Sequence, residues 1–369
     1  MRRFRQIIGA GVWIVLTCSG ATSARDTALQ SSCFPPETLK AVPGERNTVK
    51  ANRKFDESEK ARQLYEHAPL PPERRGSIRR VDIAGGRKVI ALTLDICEIR
   101  GEVSGYDGGV FDTLRSEGVK ATLFTGGKWM RSHLSRAQQL MSDPLFEIAS
   151  HGYAHRNVRK LSGELLDEEI LGPQRAYEAI REDVSKTHCA KTIDNPMQSV
   201  APRINLYRFP FGACNEAAIK AVNDAGLAAI QWDVSIGDSD PGSSAVVLAA
   251  RIVRNAKPGS IIIAHANGRG WHTADALRIA IPKLKAKGFE FVTVSELLEL
   301  GKPVVAATCY DSRPGDTDRY DFLFAKKKGT DAGWLPTGIF PEPPALPARP
   351  KSAPPAGDWN PHVEPFRTN

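Results

Sequence analysis

The chain has 369 residues, of which 41% are hydrophobic, and a formal net charge of +8. That is enough to bury a full core as one large domain or two ordinary ones, and the basic balance suits an anionic polymer or surface. Lys and Arg are scattered rather than gathered into a stripe with interleaved aromatics, which argues against a nucleic-acid partner. The apolar run near the N-terminus is short for a bilayer span, and no later segment approaches the roughly 20 uncharged residues of a transmembrane helix, which argues against stable membrane insertion.

In chain order, Arg2, Arg3 and Arg5 precede an apolar run from Ile7 to Leu16, and small residues follow up to Ala24. This is the layout of a secretory signal peptide over 1–24, so the mature protein is expected to be exported, periplasmic or secreted. Cys18 follows Val15, Leu16 and Thr17, but Thr17 is a poor residue before a lipidated cysteine. Five cysteines lie beyond this segment, Cys33, Cys97, Cys189, Cys214 and Cys309, an odd number that leaves at least one thiol unpaired within the chain.

Residues 25–85 are polar and proline-interrupted, with little apolar periodicity, and read as an irregular arm packed on a core. From 86 to 302 short apolar runs alternate with amphipathic stretches. Strands are expected at 89–95, 119–125, 145–150, 205–210, 227–233, 260–265 and 289–294, and helices at 109–118, 135–143, 163–183, 216–226, 245–256 and 273–288. Alternating β and α with near-continuous apolar strands predicts an α/β fold, a distorted seven-stranded (β/α) barrel with helices outside. A long interruption at 183–203 is expected to shape one side of the rim, and 303–369 forms a proline-rich tail.

In such a barrel all parallel strands end on one rim, where distant residues converge. Asp95, the pair His151 and His155, Arg208, Asp238 and His265 stand at or just past five of these strand ends. Two imidazoles four residues apart form a common ligand pair for zinc and similar ions. A carboxylate at a barrel edge needs a cation or a chemical task, and Arg208 can supply the cation. A carboxylate such as Asp238 beside His265 raises its basicity, as a general acid requires.

In this order the residues resemble the polysaccharide deacetylase family, carbohydrate esterase family 4, which includes the nodulation-type chitooligosaccharide deacetylases. The resemblance covers roughly 86–300. It implies that Asp95, in Thr93-Leu94-Asp95, is the catalytic base. His151 and His155 would hold a divalent metal, zinc first, with cobalt or nickel as alternatives. Arg208 would orient the base, the Phe211 amide would help to hold an oxyanion, Asp238 would tune the histidine, and His265, in Ile263-Ala264-His265, would be the acid. The implied activity is metal-dependent hydrolysis of N-acetyl groups from a glycan substrate such as peptidoglycan, chitooligosaccharide or an exopolysaccharide. Two other readings are a catalytically impaired glycan-binding barrel and an amidase of the same fold acting on a small non-sugar amide.

Three positions depart from the family pattern. Ile96 stands where the third metal ligand is usual, which leaves Cys97, with Glu98 and Asp107 behind it, to complete the set. Cys97 has two competing readings, a 97–214 disulfide, because an Asp95–Arg208 pair would bring Cys214 close enough, and an inert buried thiol. Gly152 replaces a Ser or Thr that could brace the histidine loop. Ser239 replaces a pocket-walling tryptophan, a wall that Trp232, Trp271 or His272 could form instead.

Overall fold

The computed structural model describes residues 28–51, Arg53, Phe55 and 64–324. The expected signal peptide and the proline-rich run at 340–357 lie outside the described residues. Ten strands form one sheet: β1 (Ser77–Ile83), β2 (Val89–Ile96), β3 (Ala121–Thr125), β4 (Phe146–Ser150), β5 (Leu206–Tyr207), β6 (Ala228–Ile230), β7 (Val234–Ser235), β8 (Ile261–His265), β9 (Glu290–Phe291) and β10 (Gly301–Ala306). Their order is β10-β1-β6-β5-β4-β3-β2-β8-β7, with β9 added to β2. The pairs are parallel except for β10, which runs antiparallel to β1.

The sheet curls into a distorted barrel because β1, paired with β6 on one side, swings back against the start of β8 through an antiparallel bridge between Arg80 and Ser260. The backbones come so close there that a Cβ on Gly259 (φ 83°) would lie 1.7 Å from the Val81 carbonyl oxygen. Only glycine tolerates both that contact and that φ.

Every residue of β2 is buried, and its side chains alternate between two cores. Ile90, Leu92, Leu94 and Ile96 join the larger apolar cluster under the helices, whereas Val89 and Ala91 join Phe124, Ile230, Trp232 and Ile263 inside the barrel. Thr93 and Asp95 share the inner parity. The outer layer is built by α1 (Gly108–Glu117), α2 (Gly127–Ser132), α3 (Leu134–Met141), α4 (Glu164–Lys186), α5 (Glu216–Asp224), α6 (Ala245–Asn255) and α7 (Thr273–Ala286), whereas α8 (Val294–Glu299) buries Val294, Leu297 and Leu298 in the inner cluster. Local signals set several ends: α1 stops at Gly118 in the left-handed region, Asn215 and Ser244 cap α5 and α6, and Thr293 with Glu296 forms a capping box on α8.

The structure corrects the sequence expectations at both flanks. Residues 77–83, expected within an irregular arm, form β1. Two adjacent arginines hide the strand, and Arg79 is accommodated because its guanidinium donates to the carbonyls of Tyr310 and Asp311 and stacks 3.7 Å from the Tyr310 ring. Residues 303–306, expected to begin the tail, belong to β10. The interruption at 183–203 contains the end of α4 and a helical turn at His188–Lys191, and Cys189 there is bonded to Cys33.

Cys214 is bonded to Cys309, so the 97–214 disulfide does not form. Cys214 and Cys309 lie in the helix-side cluster and Cys97 does not, so the two thiols that the sequence brings near one another face different sides of the wall.

Candidate active site

Strand register brings the predicted residues to one level of the rim. Asp95 pairs with His265 across β2 and β8, and Ile96, Thr125, Ser150 and Tyr207 pair in turn across β2, β3, β4 and β5. His151 follows Ser150 and Arg208 follows Tyr207, so both emerge beside Asp95.

The Arg208 guanidinium is fully buried, 3.9 Å from the centroid of Phe124 and 5.5 Å from that of Trp232. Its Nη1 donates to Asp95 Oδ1 at 2.8 Å and Thr93 Oγ1 at 2.7 Å, and Nε and Nη2 donate to the carbonyls of Ile230 and Gln231. Burial works against a charged Asp95, but His151, in its protonated form at acid pH, and the permanently charged Arg208 outweigh it and hold the carboxyl below its usual range. The carboxylate is therefore ionised at neutral pH, with Oδ2 turned toward His151 Nε2 at 3.4 Å.

His151 Nδ1 lies 3.0 Å from the Arg208 carbonyl oxygen. A carbonyl can only accept, so Nδ1 carries the proton and Nε2 keeps its lone pair. Burial also lowers the His151 pKa, which favours the neutral ring. His155 sits at φ 54° with its ring 5.0 Å from that of His151 and 4.4 Å from that of Phe211. Its buried Nδ1 has no hydrogen-bond partner, and burial, followed by His151, holds its pKa well below the usual value.

Ligand atoms of Cys97, His151 and His155 lie within 4.8 Å of one another. Cys97 stands two residues beyond Asp95, on the inner parity of β2, and Asn267 Nδ2 donates to both its carbonyl oxygen, at 2.8 Å, and its sulfur, at 3.3 Å. Burial pushes the thiol well above its usual range, so without a cation the sulfur stays protonated. Two neutral imidazoles, one with an orphaned nitrogen, and one thiol fit a small cation that takes nitrogen and sulfur ligands.

Beside this cluster, Asp238 Oδ1 accepts from His265 Nδ1 at 2.8 Å, and its Oδ2 accepts from the His265 amide at 2.8 Å and Thr273 Oγ1 at 2.7 Å. Burial alone would lower the His265 pKa, but the Asp238 carboxylate prevails and raises it to about 9. The ring therefore holds two protons at neutral pH, and its side chain stays 26% exposed to the cleft.

The other expected groups fall elsewhere. Ile96 is buried in the helix-side core, on the face opposite Asp95. Glu98 is fully buried and paired with Lys128 Nζ at 2.5 Å and Ser132 Oγ at 2.6 Å, and Asp107 precedes α1 near Arg46. Neither joins the cation cluster. Trp232 is a core residue whose Nε1 donates to Asp311 at 2.8 Å, while Trp271 is 45% exposed beside the rim, and its amide donates to the Asp238 carbonyl at 2.6 Å. The turn Pro210–Gly212 carries Phe211 at φ 62°, with its ring against His155 on one side and Tyr320 on the other.

Residues 82–230 match the polysaccharide deacetylase family model. The chain carries a polysaccharide deacetylase domain. It is 29% identical over 221 residues to a peptidoglycan-N-acetylglucosamine deacetylase of Bacillus cereus, covering 59% of this chain and 91% of that protein. It is 27% identical over 192 residues to a chitooligosaccharide deacetylase of Azorhizobium caulinodans, covering 49% and 82%. The crystal structure of the Bc1960 peptidoglycan N-acetylglucosamine deacetylase with 4-naphthalen-1-yl-N-oxidanyl-benzamide shares the fold, with a TM-score of 0.51 at 22% identity over 62% of this chain and 96% of that one. The polysaccharide deacetylase match ends before Asp238 and His265, so these two residues are joined to the site by geometry. Among the described residues no helix is long and apolar enough to cross a membrane.

Several partners of the site were not predicted from sequence: Thr93 on Arg208, Asn267 on Cys97, Thr273 on Asp238, and Glu169 beneath the histidine turn. Asn267 lies two residues beyond His265, and that spacing was the one local hint. Thr93 and Glu169 carry none, because each acts across strands or from a helix.

Proposed function

We propose that this chain is a cation-dependent hydrolase that removes acetyl groups from N-acetylated glycans outside the cytoplasm. The observation that carries the reading is the juxtaposition, on one rim, of an ionised Asp95, a Cys97–His151–His155 donor set and a doubly protonated His265. The peptidoglycan and chitooligosaccharide deacetylases among its relatives support the substrate class, and the charged N-terminus with its apolar run supports export.

A divalent cation held by His151, His155 and Cys97, zinc first by the chemistry of its donors and cobalt or nickel next, would polarise the acetamide carbonyl and acidify water. Asp95, fixed by Arg208, takes the proton of the attacking water as its oxygen bonds to the acetyl carbon. The Phe211 amide, held by the strained turn beside His155, contributes a donor to the tetrahedral oxyanion. His265 gives its Nε2 proton to the nitrogen as the carbon–nitrogen bond breaks, leaving acetate and a free amine, and Asp238 stabilises the charged ring until that moment.

Acetate release from peptidoglycan or chitooligosaccharide by protein loaded with zinc, cobalt or nickel tests the proposal, and Asp95→Asn is expected to lower the rate by about 10²–10⁴-fold. No acetate from any such glycan with any of the three metals would sink it. The placement of Ile96 in the helix-side core favours a second reading, a glycan-binding barrel without catalysis. That reading predicts glycan affinity that needs no metal and is unchanged in Asp95→Asn.

A further inference from the structure

The turn from His151 to His155 must hold two imidazoles toward one point, yet it lies outside any strand or helix, and two of its residues, Gly152 (φ 73°) and His155 (φ 54°), adopt the left-handed region. Such a turn has no ladder to satisfy its amides, and buried amides need partners. The partner here is one side chain. Glu169, fully buried on α4, accepts through Oε2 from the amides of Tyr153, at 2.9 Å, and Arg156, at 3.4 Å. Its Oε1 accepts from the amide of Ala154 at 2.9 Å and from Arg156 Nη1 at 3.0 Å. The three amides flank His155 on both sides. The carboxylate also fills the space over Gly152, where a Cβ would lie 2.5 Å from Oε2.

We infer that Glu169 is the positioning residue of this site: it sets the backbone of the His151–His155 turn and thereby the aim of both imidazoles, taking the bracing task that a hydroxyl at position 152 would otherwise perform. The assignment rests on the proposed cation site. Glu169 itself reaches neither substrate nor cation. Gly152 and Glu169 form one device, since any side chain at 152 displaces the carboxylate.

Glu169→Gln keeps the shape but sets an NH₂ group against amide donors. Zinc and cobalt dissociation constants, the visible spectrum of the cobalt form, and NMR exchange of the Tyr153, Ala154 and Arg156 amides are compared between this variant and the unaltered chain. The expected result is a metal-free variant that remains folded, binds zinc about 10–100-fold more weakly, shows a changed cobalt spectrum and exchanges those three amides faster. Zinc affinity within twofold of the unaltered chain, with the same spectrum, overturns the inference. If the variant does not fold, exchange in the unaltered chain decides: amides at 153, 154 and 156 much slower than those of Gly85 and Gly86 support the brace, and equal rates overturn it. An unaltered chain that binds neither metal, with the amides protected and released by Glu169→Gln, refutes the cation reading and retains the brace.

Discussion

Asp238→Asn removes the charge that holds the second proton on His265 while keeping the size of the side chain. The rise of the His265 pKa from its ordinary 6.5 to about 9 occurs although burial pushes the other way. At about 1.4 kcal/mol per tenfold change, it corresponds to roughly 3 kcal/mol in favour of the charged ring. Once the carboxylate is replaced by an amide, burial becomes the dominant influence, so the pKa is expected to fall below 6.5. Because the folded-state pKa is raised, its contribution to stability is fully present below 6.5 and is lost as pH climbs through about 9. The stability gap between the two proteins should therefore be widest in acid and should close above that point. NMR titration of the His265 ring in metal-free protein gives the pKa directly, and denaturant unfolding at either end of the range gives the linked stability. A ring that titrates near 6.5 in the unaltered chain, or at the same pH in both proteins, would refute the reasoning.

Asp95→Asn leaves the fully buried Arg208 guanidinium without its counter-ion, so besides losing activity the variant should be about 3–5 kcal/mol less stable, as read from its denaturant midpoint. A midpoint unchanged from the parent would show that Thr93 and the two carbonyls suffice for Arg208. Cys97→Ser should weaken zinc binding at least tenfold and abolish the thiol proton that the unaltered chain releases on zinc uptake, measured by titration in weak buffer. Equal affinity and equal proton release would remove Cys97 from the ligand set. Cys214→Ala opens a bridge across 95 residues of sequence and should cost about 4 kcal/mol, measured by denaturant unfolding under oxidising conditions. A loss below about 1 kcal/mol would mean that the residues after β10 stay in place without the bond.

What was legible in the sequence follows from range. The core strands were readable because each is a short apolar run, and Asp95, His151, Arg208 and His265 were readable because they stand where such runs end. β1 was hidden because its burial of Arg79 depends on carbonyls more than 200 residues away, and β10 because Pro303 and the proline-rich residues beyond it pull the reading toward a tail. The cysteine pairing failed for a geometric reason. Proximity of Asp95 to Arg208 was foreseen and holds, but the turn Pro210–Gly212 carries Cys214 over the rim to the helix side, where Cys309 meets it. Glu98, which a ligand count would nominate, is claimed by Lys128 and Ser132, partners that only the packing of α2 supplies.

The central claim is that Cys97, on the inner parity of β2, completes with His151 and His155 the cation site that Ile96 cannot. X-ray absorption at the zinc edge of the loaded protein tests it most directly. One sulfur at about 2.3 Å and two imidazole nitrogens at about 2.0–2.1 Å is the predicted shell, with the sulfur lost in Cys97→Ser. A shell of nitrogen and oxygen alone in the unaltered chain would contradict it.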